Sequence, residues 1–274
     1  MRFLLLTTTD MAANRGADVD RMLASVAGQK GIDVSLRLLA QNCDAEALRD
    51  LESRLPAFAE ADAVAFRVPL SAARNRLLGG LRGGDGRDTI VAFPDDDCWY
   101  PNRFLDGVAE FFTARPSADL FVCGFGPSPV GWNDVGLNIR RGSAARVVRT
   151  ASSITTFVRA TALPQSKAFD ERLGLGAPFN GGEDTDFAIR AFLSGRDAYV
   201  TSTPLVGHPE KSRESAGRYY RGTALAIAKH ARQSPALFVE FVRKILVGLV
   251  LFCRGEIRSR DLAPSMREVW RSRR

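Results

Sequence analysis

The sequence predicts an α/β protein, with a mostly parallel sheet flanked by helices over residues 1–208 and a basic helical appendage over residues 209–274. Three observations carry this. Short apolar runs alternate along the chain with stretches whose apolar residues recur at helical spacing, as when strands and helices are laid down in turn. The composition, 45% hydrophobic and 25% charged over 274 residues, is that of a folded chain long enough to bury a core without disulfide staples. The charge is also segregated: residues 209–274 hold 15 Lys+Arg against 6 Asp+Glu, net +9, leaving 23 against 25, net −2, for the other 208 residues.

Residues 3–6 form an apolar run ahead of Thr7, Thr8, Thr9 and Asp10; they read as a first strand, too short for the apolar stretch of a signal peptide. Val19, Met22, Leu23 and Val26 share one face of a helix. Residues 34–39 read as a second strand, and Leu48, Leu51 and Leu55 mark a helix that Pro56 stops. Residues 71–81 read as a helix, the glycine-rich stretch 79–86 as a loop, and residues 89–93 as a buried strand that ends at Asp95, Asp96 and Asp97. Pro101 suits a first helical residue, and Phe104, Val108, Phe111 and Phe112 follow on one face. Residues 120–123 and 153–158 are expected strands, separated by a Gly-, Pro- and Arg-rich stretch read as loops and edge strands. Four glycines between residues 173 and 182 precede Glu183, Asp184, Thr185 and Asp186, which open an apolar helix through Phe192. Residues 198–206 form the last strand, ending at Gly207 and His208. Sheets of this kind bind ligands outside the carboxyl ends of their strands.

Four features bear on chemistry. Three adjacent aspartates resist ionising together, a cost that a hard divalent cation removes; a solvated turn before Pro101 is the plain alternative. The run Gly181-Gly182-Glu183-Asp184-Thr185-Asp186-Phe187 puts carboxylates at a helix start, where they complement the helix dipole or are held rigidly for catalysis. Ser71-Ala72-Ala73-Arg74-Asn75 offers a hydroxyl, a guanidinium and an amide suited to phosphate or nucleoside. His208, after a strand, is either structural or a ligand. The four cysteines lack zinc or redox spacing and the two histidines cannot complete the usual zinc sets, so a reduced, cytoplasmic setting is expected.

In this order the motifs resemble those of a family 2 glycosyltransferase with the GT-A fold. Ser71-Ala72-Ala73-Arg74-Asn75 resembles the family's SxARN helix, and Phe93-Pro94-Asp95-Asp96-Asp97 with Pro101 its DxD strand end. Phe169-Asp170-Glu171 followed by Gly182-Glu183-Asp184-Thr185-Asp186-Phe187 and Arg190 resembles its acceptor-side motif, and His208 its terminal metal-binding histidine. The similarity covers residues 2–208. One departure is visible: the family ends its second strand in an aspartate-rich turn that reads the donor base, whereas this chain runs Gln41-Asn42-Cys43, with Asp44 the nearest carboxylate.

The resemblance implies inverting transfer from a nucleotide-diphosphate sugar to a hydroxyl of a saccharide or lipid-linked saccharide in cell-surface polysaccharide synthesis. A divalent cation, Mn2+ or Mg2+, would sit on Asp97, Asp95 and His208. Thr8, Ser71, Arg74, Asn75, Asp95 and Asp96 would bind the nucleotide-sugar. Asp184 would act as general base with Glu183 orienting the acceptor, roles that can be exchanged, and Gly182 and Asp186 would bind the acceptor.

In the tail, residues 236–253 are mainly apolar, with Glu240, Arg243 and Lys244 forming a polar stripe in the first half and only residues 245–253 unbroken. Nine residues at about 1.5 Å each reach about 14 Å, less than half of a hydrocarbon core of about 30 Å, so no span is expected. Flanked by Arg218, Arg221, Lys229 and Arg232 on one side and Arg254, Arg258 and Arg260 on the other, the segment is expected either to lie on an anionic leaflet through residues 218–260, at the cytoplasmic face of the inner membrane, or to pack on the catalytic domain. No nucleic-acid partner is expected, because no zinc finger, basic zipper or aromatic-studded RNA motif accompanies the charge. Two other enzyme-fold readings compete: a nucleotidyl or phosphoryl transferase using the same kind of metal site, and an inactive relative that keeps only the nucleotide-binding fold.

Overall fold

The computed structural model describes residues 1–79, 86–134, 136–164, 168–210 and 215–271. The strands are β1 (Arg2–Asp10), β2 (Asp33–Gln41), β3 (Ala59–Val64), β4 (Thr89–Ala92), β5 (Ala118–Gly126), β6 (Arg140–Arg141), β7 (Thr156–Arg159) and β8 (Asp197–Gly207). They form one sheet in the order β3-β2-β1-β4-β7-β5-β8-β6. β1 pairs in parallel with β2 and β4, β2 with β3, and β5 with β8. β7 runs antiparallel between β4 and β5, and β6 antiparallel on the β8 edge. All strands but β6 and β7 therefore point one way, and the C-terminal ends of β1, β4 and β8 open on the same end of the sheet.

The helices are α1 (Gly16–Ala27), α2 (Ala45–Arg54), α3 (Leu70–Leu78), α4 (Phe104–Ala114), α5 (Ala144–Thr150), α6 (Glu183–Ser194), α7 (Ser215–His230), α8 (Pro235–Cys253) and α9 (Ser259–Arg271). Strand alternation splits the core into two layers. Phe3, Leu5, Leu36, Leu38, Ile90, Phe121 and Phe157 point to one face, under α1 and α4. Leu4, Leu6, Leu39, Val91, Leu120, Val122 and Val158 point to the other, under α3, α5 and α6. Buried on both faces, these strands read as unbroken apolar runs.

The expected elements form, with shifted bounds and some omissions. β1 extends past the apolar run through the threonines, because its parallel register with β2 holds as far as Asp10–Gln41. The helix expected from Pro101 starts at Phe104: Arg103 takes a left-handed conformation at φ 60°, and Phe104 N–H bonds the Pro101 carbonyl. Residues 153–158 divide into a 3-10 turn (Ser153–Thr155), closed by a Ser152/Thr155 capping box, and β7. β3 and α5 were not expected; α5 lies inside the stretch read as loops and edge strands, whereas β6 does fit that reading. The expected loop at 79–86 lies mostly outside the described residues: Gly79 closes α3, and residues 80–85 are not described.

The C-terminal helices lie against the sheet domain. Ile227, Ala228, Ala231, Leu237 and Phe241 share a buried cluster with Ala144, Val148 and Ile189, and Leu225 and Ala226 pack with Leu173. Among the described residues, no helix is long and apolar enough to cross a membrane.

Candidate active site

The ends of β1, β4 and β8 frame a cavity of about 840 Å³ whose walls include Thr8, Thr9, Arg15, Arg74, Asp95, Asp96, Asp97, Glu183, Asp184 and His208. Asp97 and His208 meet because the chain after β4 pairs with the end of β8: Trp99 N–H donates to the Gly207 carbonyl at 3.0 Å, and Gly207 N–H returns a bond of 2.8 Å. A side chain on Gly207 would overlap the Trp99 ring, so only glycine allows this approach.

Asp95, Asp97 and His208 each offer one ligand atom, all within 4.8 Å of one another. His208 Nδ1 lies 2.6 Å from the Pro209 carbonyl, which can only accept, so Nδ1 donates there, and Nε2 is the nitrogen that faces Asp97 Oδ1 at 3.4 Å. An imidazole nitrogen grouped with two carboxylates suits a divalent cation such as Mn2+ or Mg2+, so the donor set fits the metal that the sequence motifs imply. Two local contacts already offset this negative charge. Arg15, at the start of α1, donates to Asp97 Oδ2 at 2.9 Å and approaches Asp96 at 3.7 Å, and Thr9 donates to Asp96 Oδ2 at 2.7 Å. Burial and the neighbouring aspartates still push the Asp96 carboxyl up, to about 6, against the opposing pull of Thr9 and Arg15.

Arg74 joins the two acidic runs. Only 2% exposed, it reaches Asp95 Oδ1 at 2.9 Å with one Nη and Asp184 Oδ1 at 3.1 Å with the other. Glu183 Oε1 stands 3.8 Å away, and the Phe169 ring lies 5.4 Å from the guanidinium. Asp184 Oδ2 also accepts from the Ser152 hydroxyl at 3.4 Å. Glu183 differs: burial, and then the charge of Asp184, push its carboxyl up to about 8, and its Oε2 is buried without a hydrogen-bond partner.

The structure brings most of the expected site residues to this cavity, but not all. Ser71 donates to the Leu173 carbonyl at 2.6 Å, and the Asn75 amide clamps the backbone of Phe169 through two bonds of 2.9 Å and Glu171 at 3.1 Å. Both side chains are spent on tying the 169–173 segment to α3, and only Arg74 of that motif lines the cavity. Asp186, expected to bind the acceptor, is 0% exposed and faces α7, because α6 turns it away from Asp184. It accepts from Arg190 Nε at 2.9 Å, Lys229 Nζ at 2.6 Å and His230 Nε2 at 2.9 Å. Burial alone would raise its carboxyl, but the His230 bond and the charges of Lys229 and Arg190 prevail and hold it at about 2. Gly182 lines the cavity, and it is glycine at φ 84° because a side chain there would overlap the α7 backbone at Gly222. Asp44 caps α2, accepting from the N–H groups of Glu46 and Ala47, and lies outside the cavity lining.

Sequence reasoning missed Arg15, Ser152, Tyr219 and Thr223, all in the cavity wall. For Arg15 the available signal was an arginine directly before α1 in the short connection that follows β1; nothing local marks Tyr219 and Thr223, which arrive with α7.

No protein-family model matches the sequence, and no curated protein does. Solved structures do match. Residues 1–349 of S. aureus TarS, a glycosyltransferase, superpose with a TM-score of 0.62 at 18% identity, covering 89% of this chain and 71% of that one. The same protein in complex with UDP-GlcNAc gives 0.61 at 18% identity, covering 89% and 72%. Its complex with UDP gives 0.57 at 19%, covering 83% and 65%. The chain thus shares the fold of a glycosyltransferase.

Proposed function

We propose that this protein is an inverting glycosyltransferase of the family 2 type, moving a sugar from a nucleoside-diphosphate sugar to a hydroxyl of a saccharide or lipid-linked saccharide. The observation that carries the reading is Arg74, which touches Asp95 and Asp184 across one cavity: an acidic group fit for a cation and its phosphates shares that cavity with a second acidic pair, one guanidinium between them. The UDP and UDP-GlcNAc complexes of TarS make UDP-sugars the first donors to try.

The residues divide the work. Asp95, Asp97 and His208 would hold Mn2+ or Mg2+, which when bound offsets the charge on the departing diphosphate. Thr8, Arg15 and Arg74 contact the nucleotide and its phosphates. The acceptor oxygen bonds to the anomeric carbon as that carbon's bond to the phosphate oxygen breaks. The leaving diphosphate keeps the electron pair, and the acceptor proton passes to Asp184. Glu183, whose raised carboxyl stays protonated at neutral pH, donates a hydrogen bond that orients the acceptor; its raised pKa supports giving the base to Asp184.

The test is product analysis of the full chain with Mn2+ and a panel of nucleotide-sugars, followed by saccharide acceptors. Metal-dependent release of nucleoside diphosphate is expected. Pyrophosphate release from a nucleoside triphosphate and a sugar phosphate would make it a nucleotidyl transferase, and no turnover with any donor would leave an inactive relative.

A further inference from the structure

We propose that the outward face of α8 is the surface by which this protein lies on an anionic lipid bilayer. Of the eleven exposed large apolar side chains among the described residues, eight lie on α8. Phe238, Val242, Leu246 and Leu249 fall at i, i+4, i+8 and i+11, with Val239 and Val250 beside them, so they form one broad stripe. Isolated exposed apolar residues are ordinary, but a continuous stripe of this size marks a contact surface.

The helix is mounted with its polar side inward. Glu240 is buried and paired with Arg149 and Arg243. Lys244 lies over the Tyr220 ring at 5.1 Å, and its ammonium is pushed down to about 8 by burial and then by Arg243. Gly248 admits the Tyr220 hydroxyl where any side chain would overlap it. Glu240 and Lys244 of the polar stripe therefore meet the protein, with Arg243 at its margin, and the apolar side is left outside.

Charge selects the occupant. Arg232 before the helix and Arg254, Arg258 and Arg260 after it are exposed, and the segment from residue 209 carries net +9. A second copy seated on this face would bring two such ends together, whereas an anionic leaflet complements them. Too polar to span, the 19-residue helix lies along the interface with its stripe among the acyl chains.

Co-sedimentation of the full chain with phosphatidylglycerol-containing vesicles tests this, with pure phosphatidylcholine vesicles as the neutral comparison. Wild type pellets with the anionic vesicles, less at high salt and less with neutral ones. Leu246→Asp/Val250→Asp lowers binding by about tenfold or more at an unchanged melting temperature, because both side chains face outward. Absence of wild-type binding, or full binding by the double variant, overturns the proposal. So does a dimer that the double variant abolishes without any vesicle binding, which assigns the face to a second copy.

Discussion

Arg15 occupies the acidic cluster in the manner of a cation, on Asp97 at 2.9 Å and near Asp96 at 3.7 Å. A metal entering between Asp95, Asp97 and His208 must compete with it, and its guanidinium then becomes free for the incoming phosphates. Arg15→Gln is therefore expected to bind Mn2+ about two- to fivefold more tightly, the scale of a partly exposed ion pair, while binding UDP with metal less tightly. Titration of free Mn2+ by paramagnetic resonance reads the first effect, and equal or weaker metal binding by the variant contradicts the competition. Asp184 and Glu183 separate in the same residue-level terms. Asp184→Asn is expected to lower turnover by about two to four orders of magnitude with nucleotide binding kept. Glu183→Gln, an isostere of the protonated acid, is expected to keep most activity at neutral pH. Stability distinguishes them too. The Glu183 carboxyl is raised from 4.5 to about 8, so its protonation favours the folded state. That stabilisation is complete below pH 4.5 and disappears as the pH climbs through about 8. Melting temperatures measured across pH should show Glu183→Gln gaining on wild type as the pH rises from 4.5 to about 8 and keeping that gain above it; curves parallel through the window would mean that Glu183 is not held neutral.

At the scale of elements, α6 is fixed from below by Asp186, whose carboxylate joins α6 to α7 through Lys229 and His230. Lys229→Met leaves a fully buried carboxylate short of one cation, and a loss of about 3 kcal/mol in urea unfolding is expected. Asp186→Asn in the same chain should recover part of that loss, and purely additive effects would show that the pair is not coupled. This link also marks a limit of the sequence. α1 and α6 were legible because their apolar residues repeat at helical spacing beside a polar face. β3 was not: its alternation of Ala with Glu60 and Asp62 is that of a sheet edge with little apolar content. α5 is seven residues long within an Arg- and Gly-rich stretch, too short for periodicity to show. The pairing of Asp95–Asp97 with Glu183 and Asp184 in one cavity was legible from motif order. The inward turn of Asp186 was not, because it depends on a helix that arrives some 40 residues later.

For the whole molecule, the decisive question is whether the basic C-terminal segment can be detached from the residues before it. Composition marks a boundary at residue 209, where net charge changes from −2 to +9. Packing runs across it. Tyr219 and Thr223 stand in the cavity wall, Gly222 fits against Gly181 and Gly182 so closely that no side chain is admitted on either partner, and Ile227, Ala231 and Leu237 complete a core begun by Val148 and Ile189. A chain ended after Gly222 would lose both α7 partners of Asp186, a loss of about 3–5 kcal/mol for a buried charge left short of partners. It would also bare Leu173, Ile189 and Val148, each uncovered aliphatic side chain costing about 1.5–3 kcal/mol. The sum approaches the entire stability of a typical domain, about 5–15 kcal/mol. Such a truncation is expected to be insoluble, or to unfold without a cooperative transition, in circular dichroism melts. Leu246→Asp/Val250→Asp, which alters only the outer face of α8, should melt like wild type. A soluble truncated chain with a sharp transition near the wild-type temperature would establish that the segment from residue 209 is an appendage and that α7 is dispensable to the cavity.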